Sequence, residues 1–459
     1  MTRGIRLEAK KDFSLIDWSV RRIPPPEKVR IPFNDFPHPN PLPGGEGRPP
    51  EGRASLVGGV RGVCVEVGRR VRSGEKIAEP EDREAAALHA SISGEVTQIR
   101  EDIIEIRSDR KDERLPEIGK ERRGWQDLGG EEIWGILRET GTPHPNPLPF
   151  WGRGLPAGQA GKAARRASLA GGRGEGGDTL IVDACEPEPY VSSDYALMMS
   201  HPVEILKGAE ILRKVYGAER VMIATQEDKM EAAELLKSKI YFLKWRHFEV
   251  AAGEAVYPSP YFSPRRKWGQ EIQGQVQESG ADLSLNFLSP FSPATAFAAY
   301  EAVALQKPFY ERAVTVAGEC VIEPRHLWLR IGTSFEDAIK ACRGLMREPA
   351  IVLRGGPMTG EAVATLDAVV THDTTAVLAL PKEVIAKPAE VEPCIRCGRC
   401  VEVCPAEISP AMITLAAERE LFDLARDYGA EYCIECGNCS FICPSRRPML
   451  ELMQYAQAH

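Results

Sequence analysis

Eight of the twelve cysteines lie in two runs near the end of the chain. The runs read CIRCGRCVEVCP and CIECGNCSFICP, and both follow the pattern C-x2-C-x2-C-x3-C-P. Three cysteines at intervals of three allow one compact loop to bind three corners of an iron–sulfur cube, and the fourth cysteine reaches the other cluster. The spacing predicts two [4Fe–4S] clusters. Their predicted ligands are Cys394, Cys397, Cys400 and Cys443 for the first cluster, and Cys433, Cys436, Cys439 and Cys404 for the second.

A pair of structural zinc sites is the alternative interpretation, because C-x2-C pairs occur in both kinds of centre. Zinc ribbons rarely combine cysteine triplets with a Cys-Pro pair, so the pattern favours iron and sulfide. Two adjacent clusters without an evident open coordination position indicate electron transfer rather than Lewis-acid chemistry. No other residue is assigned a catalytic role from the sequence.

Composition narrows the class of protein. The chain has 459 residues, enough for about two to four domains. Hydrophobic residues make up 43% and charged residues 27%, and the net charge of −8 argues against nucleic-acid binding. No run of 18 apolar residues is present, and the N-terminal MTRGIRLEAKKDF lacks an apolar signal segment. These features predict a cytoplasmic protein without a direct membrane span.

Three kinds of pattern precede the cysteines. Residues 60–107 alternate polar and apolar positions around turn glycines, which predicts a barrel-sandwich-like domain. A scaffold is favoured over a swinging-arm carrier, because the connector EPEDREAAALH lacks the lysine that a carrier modifies. From residue 178, strands alternate with helices and predict a mostly parallel, doubly wound sheet. Glu186 and Glu188 follow the first of these strands, where such sheets bind ligands, although solvated loop carboxylates are the alternative. Residues 311–380 predict a further compact unit, in which Gly355-Gly356-Pro357 is interpreted as a structural turn.

Several blocks resemble one family. TLIVDACEPEPYVSSDYALMMSHPVEILKGAEIL, YEAVALQKPFYERAVTVAG, LRIGTSFEDAI and LRGGPMTG are similar to RnfC, the C subunit of the Rnf electron-transport complex, and more distantly to the flavin-binding subunit of complex I. The resemblance implies a multidomain α/β and α+β fold with four parts. These are a barrel-sandwich-like domain (1–115), a Rossmann-like FMN domain (120–305), an SLBB-type β-grasp domain (308–385) and a two-cluster ferredoxin domain (388–459).

The resemblance also implies an activity. Such a protein takes electrons from NADH through FMN, or delivers them there, and exchanges them with the membrane and peripheral subunits of the complex. Ferredoxin or NAD(H) is the implied redox partner, and the implied location is the inner face of the cell membrane, reached through partner subunits. Glu186, Glu188 and Tyr190 match the family and are the implied contacts to FMN or NADH.

A repeated segment interrupts this pattern. The heptapeptide PHPNPLP occurs at 37–43 and 143–149, and RASLVGG recurs as RASLAGG, which indicates two inserted cassettes at about 37–59 and 143–177. Both are too poor in large apolar residues to offset the entropy of ordering them. The second falls where the family has a glycine-rich loop for the FMN phosphate, although GGRGEGG before the next strand could replace it.

Further departures from the family point the same way. Asp183 stands where the family has asparagine, and YPSPYFSPRRKW and SPATA replace family motifs. Together with the second insert, they predict weak FMN binding or none. The alternatives to an NADH-linked and FMN-linked subunit are therefore a flavin-less iron–sulfur relay or scaffold, and a cobalamin-reductase-like flavoprotein.

Overall fold

The computed structural model describes residues 19–32, 60–80, 87–100, 103–142, 179–253, 287–384 and 391–459. Within these ranges the chain forms four β-sheets and a helical C-terminal region. Both predicted cassettes, 37–59 and 143–177, lie outside the described residues, and so do the GGRGEGG and YPSPYFSPRRKW segments. No helix in the described ranges is long and apolar enough to cross a membrane.

Two antiparallel sheets form the N-terminal part. One has the strand order β2-β8-β7-β4 and the other β3-β5-β6. Their strands are β2 (Lys28–Pro32), β3 (Val60–Val63), β4 (Arg70–Val71), β5 (Lys76–Pro80), β6 (Leu88–His89), β7 (Gly94–Ile99) and β8 (Ile103–Ser108). Alternate residues of β8 point inward, so that Ile104 and Ile106 are fully buried against Ile77 and Val96 in a common core.

Four parallel strands in the order β11-β10-β9-β12 form the second unit. They are β9 (Thr179–Asp183), β10 (Arg220–Gln226), β11 (Phe248–Gly253) and β12 (Phe287–Phe291). The helices are α1 (Gly130–Glu139), α2 (Ser193–Ser200), α3 (Pro202–Tyr216), α4 (Met230–Leu243) and α5 (Pro293–Leu305). The strand order reverses at β9, so the carboxyl ends of β9 and β12 form the crevice in which sheets of this type bind ligands.

The third unit is a six-stranded sheet in the order β1-β14-β13-β17-β15-β16 with one helix, α6 (Phe335–Ala341). Its strands are β1 (Arg21–Arg22), β13 (Glu311–Ala317), β14 (Arg325–Arg330), β15 (Ile351–Arg354), β16 (Glu361–Val363) and β17 (Ala376–Leu380). Strand β1 falls within the first predicted domain but pairs with β14 of this sheet. The Arg22 guanidinium holds it there, 2.6 Å from the Glu311 carboxylate and stacked over the Trp328 ring.

A buried ionic network joins these three units. Lys307 lies between Glu301 and Glu311, and Arg330 reaches both Glu311 and Asp112 of the N-terminal part. Burial alone would raise the pKa of Glu311, but Lys307, Arg330 and Arg22 outweigh it and hold that pKa well below its usual range. Since removing one member leaves a buried charge without its counterion, the network resists displacement of the units.

Short helices build the C-terminal region. They are α7 (Arg399–Glu402), α8 (Pro410–Ala417), α9 (Phe422–Asp427), α10 (Asn438–Ile442) and α11 (Met449–Ala458). Their shared core contains Ile408, Ile413 and Met453, and most of its other members are alanines. Alanine contributes little buried apolar area, so this core is weak beside that of the parallel-sheet unit.

Candidate redox centres

The eight C-terminal cysteines surround two cavities. Cavity A is lined by Cys394, Cys397, Cys400 and Cys443. Cavity B is lined by Cys404, Cys433, Cys436 and Cys439. In both cases the fourth cysteine of one run therefore joins the first three cysteines of the other run.

Two loops of matching backbone conformation carry the cysteine triplets. Loop A is residues 394–400 and loop B is residues 433–439. Arg396 and Glu435, at equivalent positions, have φ angles of 56° and 53°. Gly398 and Gly437 have φ angles of 81° and 73°, in the region that glycine alone enters without strain. A short helix starts directly after each glycine and turns the third cysteine inward.

The donor set of the cavities suits a cationic iron–sulfur group. Burial raises the pKa of Cys436 and of Cys439 to about 12, so without a metal these sulfurs hold their protons. Iron in the cavity would replace the protons and stabilise the thiolates. Within the described ranges, no group of three or more His, Cys, Asp or Glu side chains is arranged to hold a single metal ion. Four sulfurs around a shared cavity fit a polynuclear group instead.

Glu186 lies just after β9 at the crevice of the parallel sheet. Its carboxylate accepts hydrogen bonds from the backbone N–H of Asp194, at 2.9 Å, and of Tyr195, at 3.1 Å. The Ser193 hydroxyl donates to it as well. Glu186 thus caps the amino end of α2, where a negative charge is favourable. The left-handed backbone at this residue, with φ of 40°, aims the side chain back at the helix.

Glu188 connects the crevice to the third unit. Its carboxylate accepts hydrogen bonds from the N–H of Met358, at 2.9 Å, and from the hydroxyl of Thr359. Gly356 lies so close to this carboxylate that a side chain there would overlap it. Burial raises the pKa of Glu188, and the hydrogen bonds from Thr359 and Met358 oppose that shift. The sequence shows the GGPMTG motif but not that it binds Glu188, so sequence analysis did not assign Met358 and Thr359 to this site.

Tyr190 is also held by the third unit. Its hydroxyl donates to the Glu319 carboxylate at 2.7 Å, and burial followed by this neighbour raises the pKa of Tyr190. All three predicted flavin residues therefore have protein partners that fix their positions. Contact of Glu186, Glu188 and Tyr190 with FMN or NADH stays a prediction, because the segments predicted to replace the phosphate loop lie outside the described residues.

Asp194 is a buried carboxyl group that sequence analysis did not single out. It accepts a hydrogen bond from the N–H of Ala294 at the start of α5, at 3.1 Å, and so joins the ends of β9 and β12. Burial, and then the charge of Glu186, raises the pKa of Asp194 to about 8. An acidic residue in the first turn of α2 was the available signal, but only the tertiary fold shows that it is buried.

Four family models match consecutive parts of the chain. They are described as "RnfC Barrel sandwich hybrid domain" (residues 55–112), "Nuo51 FMN-binding domain" (152–261), "SLBB domain" (313–362) and "4Fe-4S dicluster domain" (387–447). Together with the fold, they define a multidomain iron–sulfur protein that contains a flavin-type domain.

Curated proteins give a more specific result. The chain is 28% identical over 389 residues to the C subunit of the proton-translocating ferredoxin:NAD(+) oxidoreductase complex of Clostridium ljungdahlii, covering 81% of this chain and 79% of that protein. It is 28% identical to the Na(+)-translocating counterpart of Acetobacterium woodii, covering 78% and 79%. The chain is thus a relative of the C subunits of Rnf-type oxidoreductase complexes, which confirms the resemblance.

Other relatives are longer than this chain. The C subunit of the ion-translocating oxidoreductase complex of Erwinia tasmaniensis is 32% identical over 258 residues, which cover 56% of this chain and 31% of that protein. Among solved structures, an NAD+-reducing [NiFe]-hydrogenase in the H2-reduced state superposes with a TM-score of 0.42 and 14% identity, covering 73% of this chain and 67% of that chain.

Proposed function

We propose that this chain is the electron-transfer subunit of a membrane-associated Rnf-type oxidoreductase complex. In this role it passes electrons between NAD(H), through FMN, and partner subunits through two [4Fe–4S] clusters. The observation that carries the proposal is the arrangement of eight cysteines as two quartets around cavities A and B. The relationship to Rnf-type C subunits supports the assignment to such a complex.

The C-terminal cysteines would hold the two clusters, and helix α11 would shield them from water. Cys394, Cys397, Cys400 and Cys443 would hold one cluster, and Cys404, Cys433, Cys436 and Cys439 would hold the other. When bound, a [4Fe–4S] cluster supplies one-electron transfer. Met449 beside cavity A and Met453 beside cavity B are almost fully buried, so α11 closes one side of both cavities against water.

The parallel-sheet unit would supply the flavin-linked step. Glu186 orders the turn after β9 by capping α2, and Asp194 holds this turn against the start of α5. The match to the FMN-binding domain begins at residue 152, inside the second predicted cassette, so part of that segment aligns with flavin-domain sequence. FMN, when bound, exchanges two electrons with NADH and single electrons with an iron–sulfur centre.

Partners and location follow from the same proposal. The chain would bind the other subunits of an Rnf-type complex and lie peripherally at the inner face of the cell membrane. Ferredoxin or NAD(H) would be the outer redox partner, as the names of the relatives suggest for those proteins. Copurification of tagged protein with integral membrane subunits tests this part.

Metal analysis of anaerobically purified protein tests the cluster assignment. We expect about eight iron atoms and about eight acid-labile sulfides per chain, with the electron paramagnetic resonance of reduced cubanes. Zinc without sulfide would reject the proposal. As a control, the variant Cys64→Ser should keep the full iron and sulfide content, since Cys64 is exposed and belongs to neither cavity.

Flavin binding separates the main proposal from the flavin-less relay. Purified protein is reconstituted with FMN and passed through gel filtration, and retained flavin absorbance is measured. Stoichiometric flavin that is lost on Glu188→Gln supports the NADH-linked function. Two full clusters without retained flavin favour a relay between partner proteins, in agreement with the altered phosphate-loop sequence.

A further inference from the structure

Loop A and loop B differ in their surroundings although their backbones agree. Ile395 of loop A is 66% exposed, whereas Ile434, at the equivalent position of loop B, is 7% exposed. Cys397 of loop A is exposed too. A single exposed isoleucine is ordinary at a protein surface, so exposure alone does not define a contact surface.

Loop B faces the rest of the chain. A side chain at Gly437 would lie 3.1 Å from the carbonyl oxygen of Met358, so loop B packs against the same turn that Glu188 binds. Glu435 accepts a hydrogen bond from the side chain of Gln454 at 2.8 Å. Loop B therefore lies beside the turn that contacts Glu188 of the parallel-sheet crevice, whereas a methyl group at Gly398 of loop A would meet open space.

Loop A also differs in charge. Arg396 and Arg399 are exposed, and the ion pairs of the described C-terminal region use Arg426 and Arg447 instead. Cavity A is lined by Arg396 and Arg447, whereas no described residue that lines cavity B is charged. Arg446 is exposed beside the same cavity. The charged residues that line cavity A are both arginines, and Arg447 is paired with Glu418. The positive charge at this rim therefore comes from the exposed Arg396, Arg399 and Arg446.

We propose that Ile395, Arg396, Arg399 and Arg446 form a docking surface for a redox protein that presents carboxylates around its own one-electron centre. This inference rests on the proposed function, because it requires clusters in the cavities. One electron passes between the cluster of cavity A and the centre of the partner, in either direction, and no bond forms or breaks. Cavity B would then exchange electrons inside the chain.

Electrostatics and size agree with this role. Arginines around an exposed redox centre attract an acidic partner and raise the association rate, an effect that salt screens. Weak electron-transfer complexes bury less surface than stable ones, and a small apolar centre inside a polar rim matches the general anatomy of such interfaces. Ile395 supplies that apolar centre in loop A, whereas Ile434 is already covered by the chain itself.

Stopped-flow kinetics of the cluster-loaded protein test the proposal. The dithionite-reduced protein is mixed with a small acidic ferredoxin in one experiment and with an uncharged quinone mediator in another, over a range of ionic strength. For the double variant Arg396→Glu, Arg399→Glu we expect an approximately tenfold or larger loss of the ferredoxin rate at low salt. The unmodified protein should slow with added salt, and the variant should not.

The control is the single change Arg426→Glu in α9, which reverses one arginine instead of two. Arg426 contacts His459 at the end of α11 opposite Met449, about 15 Å away at 1.5 Å per residue. This variant should leave both rates unchanged. An unaltered ferredoxin rate in the double variant would overturn the docking surface. Slowing of the quinone reaction to the same extent would also overturn it, because the change would then act on the cluster itself. Absence of clusters in the unmodified protein would instead reject the proposed function.

Discussion

Loop A and loop B show how one ligand motif acquires two different environments. The triplets CIRCGRC and CIECGNC share spacing and backbone angles, because the cysteine and glycine positions determine the local conformation. Their neighbours differ, since loop B packs against the Met358 turn and loop A does not. The motif therefore determines which atoms would bind a cluster. Contacts with residues far away in the sequence, such as the Met358 turn, determine which loop is left open to a partner protein.

The largest expected effect is the loss of the folded structure around both loops when the clusters are removed. When the clusters are destroyed by oxygen and a chelator, we expect residues 391–459 to become sensitive to protease, because their apolar core is mostly alanine. The parallel-sheet unit has a large core that includes Leu180, Ile223 and Phe297 and should survive as a resistant fragment. Limited proteolysis with mass spectrometry checks this. Equal resistance of residues 391–459 before and after cluster loss would show that packing alone maintains the region.

Much of the fold was accessible from the sequence because its signals are local. Alternation of strand and helix predicted the parallel sheet, and Gly217, with φ of 66°, is a local signal that ends α3. The links between units were not accessible. Glu188 and Thr359 are 171 residues apart, and β1 joins a sheet whose other strands begin almost three hundred residues later. No sequence periodicity encodes such contacts, since they form between the surfaces of units that have already folded.

The next effect compares the two isoleucines. Ile434→Ser should destabilise the C-terminal region by about 2 kcal/mol or more, because it removes a buried apolar side chain and buries a hydroxyl. Ile395→Ser should stay within about 0.5 kcal/mol, since its side chain is already in water. The urea concentration at half loss of cluster absorbance, measured anaerobically, reports both. Equal midpoints would mean that the loops do not differ in packing.

The glycines provide a smaller and more local test. Gly398→Ala and Gly437→Ala both force alanine into a left-handed backbone, at a cost of roughly 1–2 kcal/mol each. A methyl group at Gly398 meets open space, whereas one at Gly437 meets the Met358 carbonyl oxygen. Gly437→Ala should therefore cost about 1 kcal/mol more. The same urea assay applies, and a larger loss for Gly398→Ala would reverse the assignment of the buried loop.

The smallest expected effect concerns the contact behind loop B. Burial raises the pKa of Glu188 above its usual 4.5, so the folded chain binds this proton more tightly than the unfolded chain. The stability that Glu188 contributes is therefore fully present below pH 4.5 and is lost as the pH rises through the folded pKa. Glu188→Gln cannot ionise, and its amide oxygen can still accept the hydrogen bond from the Met358 N–H.

The melting temperature of Glu188→Gln, relative to that of the unmodified protein, should consequently rise between pH 5 and pH 8 by on the order of 2 °C. Glu348→Gln makes the same charge change at an exposed position and should show no such trend.

Because the Met358 turn lies between Glu188 and loop B, the same pH change should alter the rate of cluster loss from cavity B more than from cavity A. A relative melting temperature that falls with pH would show that hydrogen bonds from Thr359 and Met358 outweigh burial and keep Glu188 ionised.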